Sequence, residues 1–153
     1  YLRFGRPDWP VFTGVDEPFI IGKAQTLGSG TDVSIMATGL MVWNAVEAAK
    51  QLEAQGISCD VISIPTIKPL DEAAIVASLA RTGCAVTVEE HQINGGLGDA
   101  VAHVAAKNTA CPMEFIGVKD SFGESGKPMD LLKKYGLDVP DIVNAALKVI
   151  KRK

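Results

Sequence analysis

The sequence is short of cysteine, histidine and positive charge, and each shortage closes off a class of protein. Three cysteines, Cys59, Cys84 and Cys111, are too few and too scattered for a disulfide scaffold. Together with only two histidines, His91 and His103, they make no zinc-ligand spacing. Set among apolar residues, the thiols are expected to be reduced and buried, with a catalytic or metal-binding cysteine as the alternative. Fifteen Lys and Arg against eighteen Asp and Glu give a net charge of -3 with no basic stripe, so nucleic-acid binding has little electrostatic footing. The dense positive tail of Lys148, Lys151, Arg152 and Lys153 suits a helix end facing its own dipole. No apolar run approaches the roughly 18 residues that cross a bilayer. No basic stretch followed by an apolar core and a cleavage site marks a secretory leader, so a cytoplasmic protein is expected. Also missing are a Gly-x-Ser-x-Gly elbow, a Gly-x4-Gly-Lys-Ser/Thr loop and a Gly-x-Gly-x-x-Gly fingerprint.

What remains is an ordinary globular composition: 153 residues, 47% hydrophobic and 22% charged. One domain of this size has a radius of gyration of about 15 Å and buries about 70% of its unfolded surface. Residues 1–18, with two arginines, prolines and a run of turn formers, read as a strand end and a linker. The first residue is Tyr1, which suggests a piece of a longer chain. Residues 19–27 predict an edge strand, closed by a tight turn at Gly28-Ser29-Gly30.

From Thr31 onward strand and helix patterns alternate. Strands are expected at 33–37, 59–64, 85–89 and 113–118. Helices are expected at 40–55, with Asn44 on the outer face, at 71–81 capped by Asp71, and at 100–107. Two more close the chain at 129–135 and 140–151, the last capped by Val139 or Asp138. Strands joined by single helical crossovers imply a three-layer α/β sandwich. Its sheet is mostly parallel, of about five strands, with one edge strand antiparallel.

Ligands of such a sheet gather beyond the carboxyl ends of the strands. The candidate segments there are Thr38-Gly39, the turn at 66–69, and the loops 89–98 and 119–128. Loop 89–98 is the most polar, with Glu89, Glu90, His91, Gln92 and Asn94 ahead of Gly95, Gly96 and Gly98. Its amides could converge on an anion. Equally, the glycines could serve a tight strand-to-helix turn, with Glu89 and Glu90 capping amides or meeting a neighbouring chain. A carboxylate beside His91 favours its imidazolium, a usable acid or base, though a lone histidine is commonly just a hydrogen-bonding partner. His103, four residues after Asp99 on one helix face, reads as an exposed pair member. Arg3 and Arg6 carry the side chain best suited to bidentate phosphate recognition, set against plain solvent exposure in a linker.

Five ordered blocks carry a resemblance along the whole chain. They are Tyr1-Leu-Arg-Phe-Gly-Arg-Pro7, Asp32-Val-Ser-Ile-Met-Ala-Thr-Gly39, Ile64-Pro-Thr-Ile-Lys-Pro-Leu-Asp71, Val88-Glu-Glu-His-Gln-Ile-Asn-Gly-Gly-Leu-Gly98 and Asp120-Ser-Phe-Gly-Glu-Ser-Gly126. The chain resembles the C-terminal part of transketolase, and more closely the short C-terminal sections of split transketolases. The resemblance implies an enzyme that moves a two-carbon ketol unit from a ketose phosphate to an aldose phosphate. It implies thiamine diphosphate and a divalent metal (Mg or Ca) in the intact enzyme, and none expected in this fragment, because the family's Gly-Asp-Gly motif is absent. Residues 1–18 then correspond to the end of the preceding pyrimidine-binding domain and a linker, and 19–153 to the C-terminal domain. The implied partners are sugar-phosphate substrates, the missing N-terminal and pyrimidine-binding domains, and a second copy in a homodimer. No catalytic residue is implied here, and the fragment is expected to be inactive alone. Arg6, with Arg3 second, is the positional match to an arginine that contacts the sugar phosphate. Alternatives are a 2-oxo-acid dehydrogenase β subunit, a deoxyxylulose-phosphate synthase, or a regulatory module holding a small anion at 95–98.

Overall fold

Short runs of Val, Ile and Ala bounded by turn formers become strands, and the longer amphipathic stretches between them become helices. A computed structural model describes residues 8–14 and 16–153. In chain order the elements are β1 (Gln25–Thr26), β2 (Val33–Ala37), α1 (Met41–Glu53), β3 (Cys59–Ser63), α2 (Glu72–Thr82), β4 (Ala85–Gln92), α3 (Leu97–Asn108), β5 (Met113–Val118), α4 (Pro128–Lys134) and α5 (Val139–Ile150). One sheet of order β1-β3-β2-β4-β5 contains every strand of the described residues. β3, β2, β4 and β5 run parallel, while β1 lies antiparallel on the edge, pairing Gln25 with Ser63 and Thr26 with Ile62. This is the expected mixed sheet.

Alternation along the central strands divides the core into two layers. Val33, Ile35 and Ala37 of β2 face one side, packing with Met41, Ala45 and Leu52 of α1 and Ile142, Ala146 and Val149 of α5. Met36, with Ile62 and Ile64, faces the other side against Ile75 and Leu79 of α2 and Val101 and Val104 of α3. Each Val, Leu, Ile and Met among them is essentially excluded from water and contributes about 1.5–3 kcal/mol by burial.

Local departures from the sequence reading have identifiable causes. The edge strand is two residues long rather than nine, because Gly22 at φ 81° turns the chain and leaves Phe19, Ile20 and Ile21 exposed. At Gly28-Ser29-Gly30 there is no tight turn; the chain runs beside β3, with Val61 N–H donating to the Gly28 carbonyl at 3.1 Å. A Cβ on Gly30 would stand 2.4 Å from the Ser58–Cys59 backbone, so close approach is what requires glycine there. Asn44 is buried rather than outward. α5 packs against α1 on that side, and Asn44 Nδ2 donates to the Leu137 carbonyl at 3.3 Å.

Caps follow the sequence more closely. The Asp71 side chain accepts from Ala74 N–H at the start of α2, and Gly83 at φ 70° ends that helix. Asp138 caps α5 in a reciprocal box with Asp141. All three cysteines are free; Cys59 and Cys84 are buried and Cys111 is half-buried. Burial pushes the Cys59 thiol up to about 12, far from the thiolate that chemistry would need.

Candidate functional site

Chain order fixes where a ligand crevice can form. β2 leads through α1 to β3 on one side, and the chain then crosses to β4 on the other side of β2. The connections leaving the carboxyl ends of β2 and β4 diverge, and a gap opens between them. A cleft of about 860 Å³ occupies that gap. Thr38 and Gly39 after β2, Glu90 and His91 of β4, and Leu131 and Tyr135 from α4 and its end are among its walls.

Glu89 builds one wall. Only 2% exposed, its carboxylate accepts Leu97 N–H at 2.7 Å and Gly98 N–H at 2.8 Å, two of the donors left open at the start of α3. Negative charge at that position also complements the helix dipole. A Cβ on Gly96 would sit 2.0 Å from Glu89 Oε2, so only glycine lets the loop close over the carboxylate. α3 consequently begins at Leu97, three residues before the start read from the sequence. The anion at these amides is the chain's own side chain.

The neighbouring candidates are placed differently. Glu90 is exposed beside the cleft. His91 is also exposed; its Nδ1 lies 2.8 Å from the Gln92 carbonyl and 3.9 Å from Glu89 Oε2. Gly95 and Gly96 line the cleft, whereas Gly98 is inside α3 against Phe115 and Thr87. His103 is exposed, but Asp99 turns away from it and takes Gly95 N–H at 2.6 Å, so the expected Asp99–His103 pair does not form. Arg3 and Arg6 lie outside the described residues.

Tyr135 and Trp9 had no sequence signal. Tyr135 donates its hydroxyl to the Phe122 carbonyl at 3.0 Å, and Gln92 Nε2 donates to the Ser121 carbonyl at 3.0 Å, tying the 119–127 loop across the opening. Trp9 packs beside it, in a small cavity with Leu40, Met41, Glu90, Pro128 and Leu132. The described lining includes Glu89, Glu90 and Glu124 and no Lys or Arg. Glu124 pairs with Lys134 and Glu89 with main-chain amides, which leaves Glu90 as the carboxylate that faces the cleft without a recorded partner among the described residues. The described residues do not suit a metal-held diphosphate: no three His, Cys, Asp or Glu among them converge, and Glu89 takes the glycine-loop amides.

Residues 22–142 match the family described as transketolase, C-terminal domain. The chain belongs to the transketolase C-terminal domain family. Over 153 residues, all of this chain and 48% of the relative, it is 41% identical to the 6-deoxy-6-sulfo-D-fructose transketolase subunit SqwH of Clostridium sp. (strain MSTE9). Over 99% of this chain and 49% of the relative, it is 38% identical to a subunit of the apulose-4-phosphate transketolase of Phocaeicola vulgatus. A 1-deoxy-D-xylulose-5-phosphate synthase from Desulforudis audaxviator is 42% identical over 82% of this chain but only 20% of that protein. Among solved structures, a split gene transketolase described as an inactive beta4 tetramer superposes with a TM-score of 0.90 at 43% identity, covering 94% of this chain and 47% of that one. The chain thus spans about half the length of the transketolase subunits it matches. Among the described residues no helix is long and apolar enough to cross a membrane.

Proposed function

We propose that this chain is the C-terminal section of a transketolase, working within a larger cytoplasmic enzyme that passes a two-carbon ketol unit from a ketose phosphate to an aldose phosphate. The observation that carries this reading is the match from end to end to transketolase subunits about twice its length. It also favours transketolase over the deoxyxylulose-phosphate synthases, which match a shorter stretch and a fifth of their own length. Thiamine diphosphate supplies the carbanion chemistry in such an enzyme. We assign the coenzyme and its divalent metal to the remaining half, because the residues described here do not fit them.

Residues 19–153 then act as scaffold and association domain, and residues 1–18 as the junction with the pyrimidine-binding domain. The tetrameric split-gene relative supports self-association, and the pairing assigned here is a homodimer. Arg6, with Arg3 second, is our choice for holding the substrate phosphate, an anchor whose binding energy positions the reacting carbons.

The test co-expresses this chain with the complementary half and follows ketol transfer and thiamine-diphosphate binding by calorimetry. The chain alone should neither transfer nor bind, and the complex should do both. Tight coenzyme binding by the chain alone, or an assembled but inactive complex, overturns the reading. Within an active complex, Arg6→Ala should raise KM for the sugar phosphates about tenfold, the loss of one charge-assisted phosphate contact. An unchanged KM returns the role to Arg3 or to neither.

A further inference from the structure

We propose that Asn94 is a site of spontaneous deamidation, restrained by Asp99. Asn94 is exposed in the turn between β4 and α3, and Gly95 follows it. Gly95 stands at φ 80° with nothing within 4 Å of where a Cβ would be, so no Cβ of its own crowds the attack, and its nitrogen carries a single recorded side-chain contact, to Asp99. In the reaction Gly95 N attacks Asn94 Cγ, the new N–Cγ bond closes a succinimide, and the bond from Cγ to the side-chain nitrogen breaks. Ammonia leaves carrying, through water, the proton that Gly95 N gives up. Water then opens the ring to aspartate or isoaspartate, so the conversion needs no oxidant and no enzyme.

Asp99 controls the first step. Its Oδ2 accepts the Gly95 N–H at 2.6 Å, and the attacking nitrogen must lose that proton. An amide anion forming this close to a carboxylate is strongly disfavoured. The other asparagines lack both features. Asn44 and Asn144 lie within α1 and α5, Asn108 ends α3, and each is followed by a residue with a Cβ.

The consequence falls on the clamp next door. Either product adds a carboxylate one residue from the amide that Asp99 holds. Isoaspartate also lengthens the backbone by one methylene, in the turn whose spacing brings Leu97 and Gly98 N–H onto Glu89.

The folded protein, with the variants Asp99→Ala and Asn94→Gln, is incubated at mildly alkaline pH and body temperature. Peptide mapping by mass spectrometry with isoaspartate detection then follows each asparagine. Conversion in the wild type should concentrate at Asn94, vanish in Asn94→Gln, and run about tenfold faster in Asp99→Ala, where the repelling charge is gone. Conversion at Asn94 no faster than at Asn144 in the wild type overturns the site. A slower reaction in Asp99→Ala overturns the restraint, making the carboxylate a base instead. Asp99→Asn, which keeps an acceptor oxygen without the charge, serves if the alanine variant is poorly folded.

Discussion

Each end of the sheet buries a carboxylate, and they are held in opposite ways. Near the amino ends of the strands, Asp60 of β3 is completely buried and is held by side chains of α2. Ser78 Oγ donates to it at 2.5 Å, and the Arg81 guanidinium pairs with the same oxygen. Ser34, opposite Asp60 on β2, lies 2.6 Å from both Ser78 Oγ and Thr82 Oγ1 and extends the chain of hydroxyls. At the carboxyl ends, Glu89 is held by main-chain amides and closed in by Gly96. A carboxylate gripped by side chains fastens a helix to a strand. One gripped by amides fixes the path of a loop, and here that loop walls the cleft. Buried charge at the amino end therefore joins a helix to a strand, and at the carboxyl end it shapes a wall of the cleft.

The largest effect should follow from breaking the loop-shaping clamp. Glu89→Ala leaves two buried amides without acceptors and a void beside them, a loss of about 4 kcal/mol. Gly96→Ala should cost about 3 kcal/mol by pushing the carboxylate off its donors, since its Cβ would overlap Oε2. Urea titrations measure both, and in the assembled enzyme both should also weaken association with the complementary half. If either variant loses stability but associates normally, the cleft wall is architecture too.

Asp60→Ala should cost less, about 2 kcal/mol, because Arg81 is 40% exposed and can turn to water once its partner is gone. Ser78 also keeps its existing bond to Ser34. Urea midpoints should fall while association with the complementary half stays at the wild-type level. A loss of association here at retained fold would erase the distinction between the two ends.

The sequence made the architecture readable because strands and helices alternate with clear periods and caps. Asp71, Gly83 and Asp138 mark their helix ends by chemistry that acts within a few residues. Legibility failed where a long-range contact decides. Asn44 faces inward because α5, ninety-odd residues later, covers that side of α1. The start of α3 moved to Leu97 because a carboxylate from β4 stands in for the missing cap, and spacing alone could not choose between a held anion and a capped turn. Tyr135 reaches the cleft, and Trp9 the small cavity beside it, only through tertiary packing, with no local pattern to announce them. Between these extremes lies Asp71→Ala, which loses the local cap on Ala74 N–H and a distant bond from Ala24 N–H, and should cost about 1.5 kcal/mol in the same urea titrations.

The smallest effect is a pH dependence confined to the amino end. Asp32, just before β2, is held below its ordinary 3.8 by Ser58, first through the backbone N–H and then through the hydroxyl, at 2.7 and 2.8 Å. A carboxyl whose folded value is depressed adds stability that is fully present above its unfolded value, and it is lost as pH falls through the folded one. The contribution should therefore be intact at neutral pH and fade below about pH 4. Ser58→Ala removes the hydroxyl bond and keeps the backbone one, so Asp32 should titrate closer to its ordinary value. Urea midpoints of wild type and Ser58→Ala should then differ at neutral pH and draw together as pH falls below about 4, where Asp32 becomes protonated. A gap between them that is unchanged by acid would mean that the serine acts through packing and its bond to Thr31 rather than through the Asp32 charge.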